Sequence, residues 1–154
     1  MNQIIQWLLF LIPLASLLLM KEKVLKRFLP VALFVTLVNT LFYQAAYHYN
    51  WWRELGLFDW DKVANIPWVY SAYLIATIWI FKFTYGKFKI YLLTNLILDG
   101  VYVYLWYPIL QKLGLAFSEM SSHISYLLMI GVAVLIYLFQ IWFEKDIQES
   151  TNQS

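Results

Sequence analysis

Five apolar segments, each close to the length of a membrane-crossing helix, constrain the fold of this chain more than any other feature. They cover residues 4–20, 28–47, 66–83, 90–107 and 124–143. About 20 helical residues cross the ~30 Å of hydrocarbon in a bilayer. The segments are apolar on all sides and do not alternate as membrane strands do. We therefore predict an all-α bundle of five transmembrane helices that forms a single domain over residues 1–154.

The composition agrees with a membrane protein. Hydrophobic residues make up 62% of the 154 residues and charged residues 13%, whereas a soluble domain has roughly 25% charged residues. The lipid bilayer is thus the expected partner, and the plasma membrane is the expected location. The net charge of +2 argues against a nucleic-acid partner, and the absence of cysteine excludes disulfides and thiolate metal sites. No basic region precedes the first apolar segment, so we expect it to remain as a helix.

The distribution of basic residues predicts how the chain is oriented across the membrane. Eight Lys and Arg residues lie in the first and third connections and the C-terminal segment, and three lie in the second and fourth connections. The positive-inside rule then places the N-terminus outside and the C-terminus in the cytoplasm. Residues 144–154 are predicted to form a polar, disordered cytoplasmic tail.

The second connection, "HYNWWRELGLFDWDKVANIPW" (48–68), combines tryptophans with charged residues. Because tryptophan favours membrane–water interfaces, we predict a short interfacial helix at about 51–64. The alternative is a lid or recognition surface over a cavity. His48 and His123 are expected near the same interface, but their spacing does not match a metal-binding motif, so no metal site is predicted.

Asp99 lies in the middle of the fourth apolar segment. A carboxylate there costs roughly 2.5–3.5 kcal/mol on insertion scales. Helical spacing places Asn95, Tyr102 and Trp106 on the same face, so this face should point into the bundle. Asp99 either forms a neutral hydrogen-bonded link between helices or serves as a proton-coupling or ligand site.

The second apolar segment carries a matching polar stripe, in which Thr36, Thr40, Gln44 and His48 repeat every four residues. We expect Asp99 to face this helix and to lie near Asn39 or Tyr43. Together these side chains could line a polar cavity that opens to the outer face. The candidate ligand-binding or proton-coupling residues are Asp99, Asn39, Gln44, Tyr43, Asn95, Tyr102 and His48.

Catalytic signatures are absent from the sequence: it has no G-x-S-x-G elbow, no Gly-rich phosphate loop and no H-E-x-x-H. We therefore predict neither an enzyme nor a cofactor. The first expectation is a structural, sensory or accessory subunit of a cell-envelope assembly, which contacts other membrane proteins or itself. The alternative is a small-molecule binding protein or transporter with an outward-facing cavity around Asp99.

Three features of the C-terminal two thirds carry a family resemblance. They are an aromatic residue, Phe88, in the basic loop, the sequence "PILQKLGL" from Pro108 to Leu115, and an H-x-x-Y start to the last helix at His123. With these features the chain resembles small multi-spanning membrane proteins of Bacillus, Clostridium and related spore-forming Firmicutes. Tyr107 stands where such proteins often place an acid before the proline. The resemblance implies a bacterial envelope location but no particular activity.

Overall fold

The computed structural model describes the backbone of residues 2–151 and the side chains of residues 3–145. Within this part of the chain the predicted helical character is confirmed. The helices are α1 (Asn2–Ser16, followed by a 3₁₀ turn at Leu17–Leu19), α2 (Glu22–Tyr49), α3 (Leu74–Thr84), α4 (Phe88–Lys112) and α5 (Ser122–Thr151).

Three of the described helices, α2, α4 and α5, are long and apolar enough to cross a membrane, and α1 is a shorter apolar helix. Their apolar residues are largely on the outside of the bundle. On α2, for example, exposed leucines recur every fourth residue, at Leu29, Leu33, Leu37 and Leu41. A continuous exposed apolar stripe is unfavourable in water and favourable in lipid. The faces of these helices therefore fit a bilayer.

A small antiparallel sheet lies at one end of the bundle, which we call the strand end. Strand β1 (Trp52–Glu54) pairs with β2 (Ala116–Ser118), with Arg53 opposite Phe117. The predicted interfacial helix over 51–64 is therefore wrong, and the fold is a helical bundle with a two-stranded sheet rather than purely α. Asn50 ends α2 in the left-handed conformation, with φ of 57°. This turn directs the chain back across the bundle, where pairing with β2 overrides the local helical spacing.

Two π-helical segments interrupt the regular helices, and each lies beside a proline. Trp68–Tyr73 follows Pro67 and continues directly into α3, and Tyr102–Trp106 lies within α4 just before Pro108. The fourth apolar segment is predicted over 90–107, but α4 continues through Pro108 to Lys112. A proline removes one backbone donor and can distort a helix without ending it. Here the N–H of Tyr107 donates to the carbonyl of Tyr102, five residues earlier.

The tightest packing lies at the other end of the bundle, opposite the sheet. The buried core there brings Val31 and Val35 of α2 together with Phe81 of α3 and Ile136 of α5. Tyr91 of α4 is fully buried, and its hydroxyl donates to the carbonyl of Ala133 at 2.8 Å. This hydrogen bond links α4 to α5 within the core.

The C-terminal segment is helical as far as it is described. Helix α5 runs to Thr151, so the prediction of disorder is wrong for 144–151, and residues 152–154 lie outside the described part. The segment is rich in Glu, Lys and Gln, which are good helix formers. Extending an existing packed helix is much easier than nucleating a new one.

Candidate functional site

Two adjoining cavities lie inside the bundle. The first, which we call the strand-end cavity, has a volume of about 330 Å³ and is lined by β1, α2, α4, α5 and the Trp68–Tyr73 segment. The second, the Asp99 cavity, has a volume of about 260 Å³ and is lined by α3, α4, α5 and the same segment. They share Trp68, Tyr73, Tyr102 and Met129. The two spaces therefore adjoin at these four side chains.

Glu54 supplies the carboxylate of the strand-end cavity. Side chains alternate along a strand, so Trp52 and Glu54 of β1 lie on the same face, and both line this cavity. The hydroxyl of Tyr43 donates to Oε2 of Glu54 at 3.0 Å, and that of Tyr102 donates to Oε1 at 2.7 Å. Burial raises the pKa of Glu54, and the two tyrosine hydrogen bonds oppose that shift. None of the described lining residues is Lys, Arg or His.

Aromatic rings surround this carboxylate. The ring of Trp68 stacks on that of Tyr102, with centroids 4.8 Å apart and planes 19° apart. The rings of Tyr43 and Trp52 meet edge to face at 6.1 Å. The face of an aromatic ring attracts a cation. A carboxylate among such rings forms a site for a positively charged group.

The π-helical segments position the stacked pair. Trp68 begins one of these segments and Tyr102 begins the other. A π-helical turn shifts side chains away from the positions of a regular helix, and such turns occur frequently at functional sites. Here the two irregular turns meet at the wall between the two cavities.

The loop after β1 is fixed by buried polar contacts. Gln6 of α1 and Asn65 both donate to the carbonyl of Leu55, at 2.7 and 3.0 Å. Oδ2 of Asp61 accepts the backbone N–H groups of Leu57 at 3.2 Å and Ile66 at 2.9 Å. Burial raises the pKa of Asp61, and the two backbone donors act in the opposite direction. These contacts hold the chain next to Glu54.

Asp99 lies in its cavity without a protein partner. The residue is 7% exposed, and its Oδ2 atom is buried without a hydrogen bond among the described residues. The expected contact with Asn39 or Tyr43 is wrong, because no residue of α2 lines this cavity. Helix α2 packs mainly against α3 and α5, whereas α4 packs against α5. The sequence indicated burial of Asp99 correctly but not which helix faces it.

The other predicted site residues divide into four groups. Asn39 and Tyr43 line the strand-end cavity, Asn95 lines the Asp99 cavity, and Tyr102 lines both. Gln44 and His48 are exposed and line neither cavity. A repeat of four residues drifts by about 40° per step on a helix of 3.6 residues per turn. The stripe that begins at buried Thr36 therefore turns out of the interior before it reaches His48.

Glu54 is the functional candidate that sequence reasoning did not identify. It was one of several charged residues in a loop, and nothing in its neighbourhood distinguishes it from Asp59 or Asp61. Its burial depends on β2, whose residues lie more than sixty positions later in the chain. The alternation of Trp52 and Glu54 within a short strand is the one local signal that could have indicated it.

The fold and these cavities define a helical protein with three described helices apolar enough to cross a membrane and with one carboxyl group in each of two adjoining internal spaces, the half-buried Glu54 and the buried Asp99. The sequence matches no protein-family model, and comparisons with curated proteins and with solved structures likewise gave no match. Function is therefore inferred from the cavities themselves.

Proposed function

We propose that this chain is a non-enzymatic, multi-pass membrane protein that binds a small organic ammonium ion in the strand-end cavity. Glu54 is the counter-ion, and the surrounding aromatic rings hold the organic part of the ligand. Of the two functions that the sequence left open, this is the small-molecule binding protein or transporter. The main carboxylate is now Glu54 rather than Asp99.

The observation that supports this proposal most strongly is the chemistry around Glu54. A half-buried carboxylate without a positive partner is unfavourable, and the two tyrosine donors of Glu54 are neutral. An ammonium ion would supply the missing charge and would also interact with the faces of Trp68 and Tyr102. A cavity of about 330 Å³ lies within the usual range of ligand sites, so it has room for a small organic cation.

The orientation of the chain in the membrane decides from which side a ligand would reach the strand-end cavity. Five crossings with the N-terminus outside would place the strand end on the outer face, because the basic connections lie at the opposite end. The cavity would then receive its ligand from outside the cell. This arrangement suits a sensor or a transporter in a bacterial envelope, the location that the resemblance to Firmicute membrane proteins implies.

The test is a binding titration on the full chain in lipid nanodiscs, followed by tryptophan fluorescence. Tetraethylammonium is the charged probe, and tetraethylmethane is its neutral counterpart of nearly equal shape. We expect saturable binding of the cation, because Trp52 and Trp68 line the cavity, and at least about tenfold weaker binding of the neutral probe.

The matched variants are Glu54→Gln and Glu119→Gln. Glu119 is exposed, lies at the same end of the bundle and does not line the cavity. We expect Glu54→Gln to weaken cation binding about tenfold or more and Glu119→Gln to leave it unchanged. Equal binding of the two probes, or cation binding that survives Glu54→Gln, would show that Glu54 is not the counter-ion of a ligand site.

A further inference from the structure

A second carboxyl group lies directly behind the proposed ammonium site. Asp99 lines a separate cavity whose wall is shared with the strand-end cavity through Tyr102. Asp99 and Tyr102 are three residues apart on α4, which corresponds to about 4.5 Å along the helix axis. The hydroxyl of that same Tyr102 contacts Glu54. Tyr102 therefore lines the cavity of Asp99 and also contacts the carboxylate of Glu54.

None of the described side chains forms a hydrogen bond with Oδ2 of Asp99. The amide of Asn95 donates to the carbonyl of Tyr91 at 2.8 Å, and the hydroxyl of Thr77 donates to the carbonyl of Tyr73 at 2.9 Å. The side-chain donors of Asn95 and Thr77 are thus used within their own helices, and the hydroxyls of Tyr91 and Tyr102 donate to Ala133 and Glu54. None of the described residues lining the cavity is Lys, Arg or His. A carboxyl group in such a place is either protonated or paired with a cation, and a cation would have to come from outside the residues that line the cavity.

The space next to Asp99 suits an alkyl chain better than a hydrated ion. Its walls are mostly apolar and include Ala72, Ala76, Leu98 and Met129. A divalent metal ion prefers six or more oxygen ligands. Among the described residues that line this cavity, Asp99 is the one carboxylate. A charged group on a flexible apolar chain matches both the single carboxylate and the apolar walls.

We propose that the ligand is a linear diammonium ion, with one ammonium group at Glu54 and the other at Asp99. The alkyl chain passes between the stacked Trp68 and Tyr102 on one side and Met129 on the other. This inference rests on the proposed function, because it takes Glu54 as the first of the two charged contacts. It adds the second charge and the linear shape of the ligand.

The experiment compares hexylammonium with the diammonium ions of butane, hexane, octane and decane in the nanodisc titration. We expect one chain length to bind at least about tenfold more tightly than hexylammonium, because only one length fits the separation of the two carboxylates. Diammonium ions that bind no better than hexylammonium at any length would overturn the inference.

The deciding variant is Asp99→Asn, with Glu119→Gln as its control. We expect Asp99→Asn to reduce the affinity of the best diammonium ion about tenfold or more and Glu119→Gln to leave it unchanged. Full diammonium affinity in a folded Asp99→Asn protein would also refute the second contact. If this variant does not fold, the chain-length series on the unaltered protein decides alone.

The same data separate the two proposals. Hexylammonium binding that depends on Glu54, together with a flat chain-length series, would overturn the diammonium ligand and leave the ammonium site standing. Absence of binding by every ammonium ion would overturn both.

Discussion

The hydroxyl of Tyr102 donates a hydrogen bond of 2.7 Å to Oε1 of Glu54, and this contact joins α4 to the short strand β1. The other oxygen of Glu54 accepts from Tyr43 of α2. One carboxylate thus connects two long helices and the sheet. A ligand that binds Glu54 acts on all three elements at once.

Replacing Tyr102 with Phe should weaken ammonium binding. The variant removes a donor that favours the ionised form of Glu54, so the pKa of that carboxyl rises further. At pH 7 we expect an affinity loss of about two- to tenfold, because one hydrogen bond to a charged group is worth about 1.5 kcal/mol. The pH midpoint of binding should also move upward. Tyr104→Phe is the control: Tyr104 contacts His123 at the surface and does not line the cavity. Equal changes in ammonium affinity and in pH midpoint in Tyr102→Phe and Tyr104→Phe would contradict the role of the Tyr102 hydroxyl in ammonium binding.

Stability of the ligand-free protein should depend on the ionisation of Glu54. Its pKa in the folded protein is raised above the ordinary value of 4.5, so the folded state binds a proton more tightly than the unfolded state. The free energy of unfolding should therefore fall as the pH rises from about 4.5 through the raised pKa. Glu54→Gln should make this decrease smaller, leaving the part that comes from the raised pKa of Asp61, and Glu119→Gln should retain all of it. Thermal unfolding in nanodiscs between about pH 4 and 8 measures the effect. If the free energy of unfolding changes with pH equally in the wild type and in Glu54→Gln, this assignment to Glu54 is contradicted.

The helices could be predicted from the sequence, but the sheet and the site could not. Long apolar segments identify helices because length and composition alone decide whether a helix suits a bilayer. Strand pairing between 52–54 and 116–118 depends on two loops that are far apart in the chain. In "WWRELGLFDW" the local spacing favoured a helix, and the tertiary pairing prevailed.

For Asp99, the sequence predicts the burial of the side chain but not the helix that it faces. A carboxyl group in an apolar segment has to face the bundle interior, and the structure buries it. Which neighbour it faces depends on the order of the helices around the bundle. Apolar periodicity does not specify that order, so the predicted partner Asn39 was wrong.

Gly56 should tolerate no side chain. A Cβ atom at this position would lie 2.2 Å from the carbonyl oxygen of Asp61 and 2.4 Å from its carboxylate. Gly56→Ala therefore displaces the loop that Asp61 holds, and we expect a loss of about 1–3 kcal/mol in the free energy of unfolding and weaker ammonium binding. Gly131→Ala is the control, because nothing lies within 4 Å of that Cβ and alanine favours a helix. Unfolding titrations of both variants measure the difference, and an unchanged Gly56→Ala protein would contradict the clash.

The orientation of the chain in the membrane can be tested with single introduced cysteines, because the sequence contains no cysteine. We expect Asp59→Cys at the strand end to react with a membrane-impermeant thiol reagent in intact cells. Lys87→Cys, between α3 and α4, should react only after the membrane is opened. This follows from the excess of basic residues at the end opposite the strands. The reverse pattern would show that the cavity opens to the cytoplasm.

The ion pair between Arg27 and Glu144 should stabilise the end of the bundle opposite the sheet. The two guanidinium contacts to the carboxylate measure 2.5 and 2.8 Å, and Gln140 donates to the same carboxylate at 2.9 Å. This pair joins α2 to α5, and the Glu144 side chain is only 16% exposed. A double-mutant cycle with Arg27→Ala and Glu144→Ala should give a coupling of about 1 kcal/mol, because the coupling free energy of a bidentate, partly buried pair exceeds that of an ordinary surface pair.

The control cycle uses Glu22 and Lys26, an exposed pair within α2, with an expected coupling of about 0.3–0.5 kcal/mol. Unfolding in a mixed-detergent titration measures both couplings, and a value for Arg27–Glu144 no larger than the control would show that the pair does not hold α2 and α5 together.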